Sequence, residues 1–188
     1  MKVFISGGCK NGKSSYAQRL AQKLQKTDAP LYYLATMIPV DSEDEARIIR
    51  HRNERAGCGF QTIETGNDII TAVEKCDKHG AFLLDSITAL LSNTMFPADG
   101  RVDFLAHKKI ITDLTQLINR FDDMVIVSDY IYSDAFRYDN LTETYRRNLA
   151  CIDRHTADLC DVVLEICYGT YIAHKGKDFL KEFACEFD

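Results

Sequence analysis

The chain has little proline, no C-x-x-C pair, no long apolar run and no excess of positive charge. With 3 prolines in 188 residues, 46% hydrophobic and 27% charged residues, it resembles neither a disordered nor a fibrous chain. Nowhere do ~18 apolar residues run together, and the VFIS run before the first glycines is too short for a signal peptide. A cytoplasmic protein with no membrane span is therefore expected. Seven cysteines, Cys9, Cys58, Cys76, Cys151, Cys160, Cys167 and Cys185, make an odd number. Free thiols, many of them core fillers, are expected rather than a disulfide framework or a zinc site. A net charge of -5 argues against a general nucleic-acid binder, so any positive site must be local.

What is present is an alternation. Short β-rich runs, VFIS at 3–6, LYYLAT at 31–36, FLLD at 82–85, MVIVSD at 124–129 and VVLEIC at 162–167, are separated by helical patterns. These patterns lie near 13–26, 42–56, 67–77, 86–95, 104–120 and 141–158. Such alternation predicts an α/β fold, a mainly parallel sheet flanked by helices. After VVLEIC, the run TYIAHKG leaves no room for a crossover helix and predicts an antiparallel β-hairpin at the sheet edge. The expected organisation is a single domain over 1–188, since ~100–200 residues commonly make one.

VFISGGCKNGKSS contains G-x-x-x-x-G-K-[ST] in full, spanning Gly7, Gly8, Cys9, Lys10, Asn11, Gly12, Lys13 and Ser14. A strand precedes this P-loop and a helix follows it, which is the context the motif requires. Backbone N–H groups turned inward at a helix N-terminus cradle phosphate oxygens. Lys13 is then expected to reach the β- and γ-phosphates of a nucleoside triphosphate, and Ser14 to ligate Mg²⁺. Such sites also use a carboxylate at a strand end. Asp85 is the first candidate, although it could simply cap the next helix, and Asp129 is the second.

ARIIRHRNER, at 46–55, concentrates positive charge around His51. Helical spacing sets Arg47, His51 and Arg55 on one stripe, with Ala46 and Ile49 turned the other way. A neutral imidazole has a lone pair for attack on phosphorus, and guanidinium groups beside it attract a polyphosphate. A solvated helix face is the plainer reading of the same residues. The other histidines, His79, His107, His155 and His174, read as surface residues.

GGCKNGKSSYAQRLA, YYLAT, EARIIRHRNER with FQTIET, and FLLDSITALLSNTMF occur in that order. Their order and spacing resemble the bifunctional adenosylcobinamide kinase and adenosylcobinamide-phosphate guanylyltransferase family of cobalamin biosynthesis. The resemblance covers nearly the whole chain and is closer in residues 1–96 than beyond. It implies a P-loop NTPase-like fold and a homo-oligomer, a trimer being one form. It also implies a kinase that phosphorylates adenosylcobinamide, a corrinoid, with ATP or GTP, and a nucleotidyltransferase that passes GMP from GTP to that phosphate through a guanylyl-histidine. The implied nucleophile is His51. The implied nucleotide contacts are the P-loop, Leu34, Ala35, Thr36, Arg52, Asn53, Glu54, Arg55, Glu64 and Asp85, the last commonly glutamate in the family.

Later motifs depart from the family. A T-N-E-V-G-x-G-x-V-P run is replaced by VSDYIYSDAFRYDN at 127–140, and an F-R-D-x-x-G-x-x-N-Q pattern by YRRNLACIDR. The second change keeps Arg146 and puts Arg147, Ala150, Asp153 and Arg154 at family positions. Tyr130, Tyr132, Phe136 and Tyr138 could stack on a ring of an acceptor or pack in a core or subunit contact. Two further readings follow from these departures: a P-loop small-molecule kinase with another acceptor, and a nucleotide-binding regulatory protein without catalysis.

Overall fold

A computed structural model describes residues 1–179; Cys185 lies outside the described residues. The chain runs β1 (Lys2–Gly7), α1 (Lys13–Leu24), β2 (Leu31–Ala35), α2 (Ser42–Arg55), β3 (Phe60–Glu64), α3 (Ile69–Ala72) and β4 (Ala81–Asp85). It continues α4 (Ile87–Met95), α5 (Ala106–Arg120), β5 (Asp123–Asp129), α6 (Asn140–Leu159), β6 (Val162–Cys167) and β7 (Thr170–Lys175). The strands form one sheet in the order β3-β2-β4-β5-β1-β6-β7. All pairings are parallel except β6 with β7. The predicted α/β class and the terminal hairpin are both present.

The apolar strand runs follow from burial on both faces. Phe4, Leu34, Phe82, Leu84, Met124 and Ile126 join α3 to α6 in one core. Val3, Ile5, Tyr33, Leu83, Val125 and Leu164 join Tyr16, Ala17 and Leu20 of α1 in the other. Helix α2 belongs to neither layer, because Arg55 is its one buried residue. Its N-terminus is capped: the Asp41 side chain accepts from Asp44 N, and acidic Glu43, Asp44 and Glu45 occupy the first turn, where they complement the helix dipole.

Three expectations change. Phe60–Glu64, absent from the β-rich runs read in the sequence, is an edge strand paired with β2, and its largely exposed pattern gives no apolar run to find. The helix expected over 67–77 shrinks to Ile69–Ala72, because the chain turns again before Gly80, where Tyr32 Oη accepts from Asp77 N at 3.2 Å. Among the described cysteines all are free, but only Cys160 is buried, so core filling by thiols is far less than expected. Among the described residues, no helix is long and apolar enough to cross a membrane.

Candidate active site

The loop between β1 and α1 has the shape its glycines require. Gly12 sits at φ 86 and Lys10 at φ 55, left-handed positions that turn successive N–H groups toward one side. A side chain at Gly7 would come within 2.5 Å of Asn11 Nδ2 and 2.8 Å of the Ile166 carbonyl. Asn11 fills that space instead, donating to the Ile166 carbonyl at 2.5 Å and fastening the loop to β6. Gly8 lies in open space. Lys13 is buried; its ammonium donates to the Gly8 carbonyl at 3.0 Å and is ion-paired with Asp129 at the end of β5. Asp129 is fixed in turn by Thr88, whose Oγ1 accepts from its backbone N–H at 2.9 Å.

From Asp129 a cleft of about 590 Å³ opens across the C-terminal ends of β4 and β2 to α2, where ligands bind in open α/β sheets. Its walls differ in character. Met37, Ile38, Pro39 and Val40 form an apolar side, while Arg47, His51, Arg52 and Arg55 bring the charged face of α2 to the other. The stripe expected from helical spacing therefore faces the cleft. Ile49, expected to turn away, reaches the cleft as well.

Arg55 is 7% exposed, and its guanidinium carbon lies 3.6 Å from the centre of the Tyr33 ring. The Tyr33 hydroxyl donates to Asp85 Oδ2 at 2.8 Å. Burial first, and then the charge of Asp85, push the Tyr33 phenol well above its ordinary range, so it remains a donor. One chain of contacts thus runs from the histidine helix through β2 to the carboxylate ending β4. Sequence reasoning missed Tyr33; it reads there as one more apolar strand residue, and its partners are remote in sequence.

His51 is half-buried, with Nδ1 3.2 Å from Glu54 Oε2, although the two are not aligned as a hydrogen bond. Its nearest charged partner is therefore an acid, one turn along the same helix. Arg52 pairs with Glu64 at the end of β3, an exposed contact of modest worth.

Other expected nucleotide contacts fall elsewhere. Ala35, Arg52, Arg55, Glu64 and Asp85 line the cleft with His51, whereas Leu34, Thr36, Asn53 and Glu54 do not, and the P-loop residues Gly7 to Ser14 adjoin it only through the pairing of Lys13 with Asp129. Leu34 is fully buried in the core. The Thr36 hydroxyl donates to the Ser86 carbonyl and accepts from Ser86 N, both at 2.8 Å, tying β2 to the start of α4. Asn93 donates to the Thr36 carbonyl at 2.7 Å and to that of Gly66 at 2.8 Å, closing the cleft floor. His79, His107, His155 and His174 do not line the cleft.

Of the four loop aromatics, none lines this cleft. Arg146 instead gathers the 130–139 segment. It donates to the carbonyls of Ile131, Phe136 and Asp134 and pairs with Asp134 and Glu143 at 2.8 and 2.7 Å. Its guanidinium lies 4.9 Å from the Tyr138 ring centre. Phe136 stays 75% exposed at the surface of that segment.

Comparison with known proteins agrees with this arrangement. One solved ATPase domain superposes with a TM-score of 0.51 at 12% identity, covering 94% of this chain and 77% of that one. A KaiC-like protein from Pyrococcus horikoshii OT3 gives 0.51 at 11% identity, over 100% and 83%. These likenesses concern the fold alone, a P-loop NTPase-like one. In sequence, the bifunctional adenosylcobalamin biosynthesis protein CobU of Salmonella typhimurium is 30% identical over 125 residues, 63% of this chain and 66% of that protein. Its Escherichia coli K12 counterpart is 27% identical over 104 residues, 55% of each. The matches thus span just under two thirds and just over half of the relatives' lengths. The sequence pattern of the family described as cobinamide kinase / cobinamide phosphate guanyltransferase matches residues 3–173. The chain belongs to that family.

Proposed function

We propose that this protein phosphorylates adenosylcobinamide with a nucleoside triphosphate and transfers GMP from GTP to the resulting phosphate through a guanylyl-His51 intermediate. The observation that carries this reading is the continuity of the site. Lys13 of the P-loop meets Asp129 at one end of a cleft whose other end is lined by His51, Arg52 and Arg55. Nucleotide bound in it with its phosphates reaching past Asp129 to the P-loop would span a phosphate cradle and a histidine.

In the first reaction the acceptor hydroxyl attacks the γ-phosphorus, loses its proton, and the nucleoside diphosphate departs. The loop N–H groups and Lys13 hold the transferring phosphoryl group in line, since positioning and charge stabilisation supply most of such catalysis. In the second, His51 Nε2 attacks the α-phosphorus of GTP, an N–P bond forms, and pyrophosphate leaves. The acceptor phosphate then displaces His51. A proton on Nδ1, the nitrogen facing Glu54, leaves the lone pair on Nε2. Glu54 is thereby better read as orienting the histidine than as touching nucleotide. Arg47, Arg52 and Arg55 would stabilise the charge developing on the phosphates.

Magnesium fits the donor set. The Ser14 hydroxyl and the Asp85 carboxylate are hard oxygen ligands of the kind it prefers, and the bond from Tyr33 occupies Asp85 through one oxygen, Oδ2. Bound there, the ion would neutralise phosphate charge. Asp129 is the weaker ligand, because Lys13 already engages it.

A second reading keeps the kinase and changes the acceptor. It is favoured by the 130–139 segment, which Arg146 holds with Phe136 exposed. Nucleotide consumption measured with and without adenosylcobinamide separates the two. Stimulation by that corrinoid is expected; turnover that is indifferent to it, yet stimulated by another small hydroxyl compound, would overturn the first reading.

A further inference from the structure

Below the P-loop, on the face of the sheet covered by α6, lies a polar layer that the proposed chemistry does not use. Ser6 of β1 stands beside Ser128 of β5 in register. Asp153 of α6 is 2% exposed, and the Tyr132 hydroxyl reaches it from the 130–139 loop, donating to Oδ2 at 2.9 Å. Ser6 Oγ, Ser128 Oγ and Asp153 Oδ1 are all buried without an aligned hydrogen-bond partner. Buried polar atoms are ordinarily satisfied, so three together mark a locus whose bonding depends on the state of the carboxyl.

We propose that Asp153 is a positioning residue that latches the 130–139 loop, through Tyr132, onto helix α6 beneath the strand carrying the P-loop. The loop begins directly after Asp129, the partner of Lys13, and Tyr130 N donates to the Gly7 carbonyl at 3.3 Å. Its placement therefore sets the distance between the phosphate cradle and whatever binds beyond β5. That this is the acceptor rests on the proposed function; the latch itself does not.

The carboxyl is unusual for its type. Burial pushes it up to about 7, opposed by the Ser128 and Tyr132 hydroxyls and reinforced by the charge of Asp129. The groups bearing on it come from several elements: Ser128 and Asp129 on β5, Tyr132 in the loop, where Ser6 of β1 and Arg154 also act on the phenol, and Tyr145 on its own helix. While protonated, it rests in the interior at little expense. Once ionised, it is a buried charge faced only by the Ser128 and Tyr132 hydroxyls, which opening of the loop would hydrate. Raising the pH from about 4 to somewhat above 7 should therefore loosen the loop, the last part of the change falling between pH 6 and pH 8.

The test is amide hydrogen exchange across 130–139 in the full chain at pH 6 and pH 8, corrected for intrinsic exchange rates. Wild type should open up to about tenfold more at pH 8, as linkage requires when the open-state carboxyl titrates normally. Asp153→Asn, which keeps the shape and loses the charge, should abolish that difference. Tyr132→Phe should weaken protection already at pH 6. Equal opening of the wild-type loop at both pH values, or a pH difference that persists in Asp153→Asn, overturns the proposal. Should Asp153→Asn not fold, the wild-type pH comparison and Tyr132→Phe decide it alone. Tyr132→Phe should also raise KM for adenosylcobinamide while leaving KM for nucleotide unchanged. Absence of any turnover with that corrinoid would count against the proposed function, while the exchange result would still decide the latch.

Discussion

Arg55 and Tyr33 form the contact that joins the histidine helix to the sheet: a buried guanidinium stacked 3.6 Å from a ring centre. Helix α2 has no other buried residue, so this stack carries much of its attachment. Lysine cannot reproduce a planar stack. Arg55→Lys should lower stability by about 1–2 kcal/mol in a denaturant titration and weaken GTP binding, whereas Tyr33→Phe should keep the stack and lose only the bond to Asp85.

Lys13 is held by the Gly8 carbonyl and Asp129. Lys13→Met should abolish binding of a fluorescent nucleotide analogue while retaining the far-UV spectrum of the fold. It should also cost about 1–3 kcal/mol, because the poorly exposed Asp129 loses its partner. Adding Asp129→Asn should recover that stability but not the binding, a separation visible when melting and titration are run on the same samples.

Arg146 holds the 130–139 segment through three carbonyls and the Asp134 carboxylate, and is braced by Glu143 on its own helix. Arg146→Met keeps the stem and removes every one of these bonds. Limited proteolysis should then cut selectively within 131–139, with fragments identified by mass. Cutting spread over the whole chain would instead indicate a global role.

Asp153 also predicts a pH dependence of global stability. Its folded-state carboxyl titrates near 7, against about 4 for an unfolded aspartate. Between those values the folded chain binds more protons than the unfolded one, so stability falls as pH rises. The favourable contribution is full below about pH 4 and lost by about pH 7. Asp153→Asn should therefore gain on wild type steadily over that window in paired denaturation curves.

Much of this architecture is written locally. The P-loop, the strands buried on both faces and the α2 stripe follow from spacing alone, since each is a pattern within a dozen residues. Edge strand β3 was hidden because FQTIE has little to bury, and only pairing with Leu31–Ala35 makes it a strand. Thr36 reads as a nucleotide contact in sequence, yet its hydroxyl is consumed by Ser86, fifty residues away. Tyr33, Arg146 and Asp153 act through partners on other elements, so their roles emerge only once the chain has folded. The same holds for Glu54, whose place beside His51 depends on side-chain direction within α2.

The central claim, that His51 carries GMP, is tested most directly by incubation with α-labelled GTP followed by denaturing separation. The wild-type chain should carry an acid-labile, alkali-stable label, and His51→Ala should carry none. No label on wild type, or equal label on His51→Ala, would contradict it.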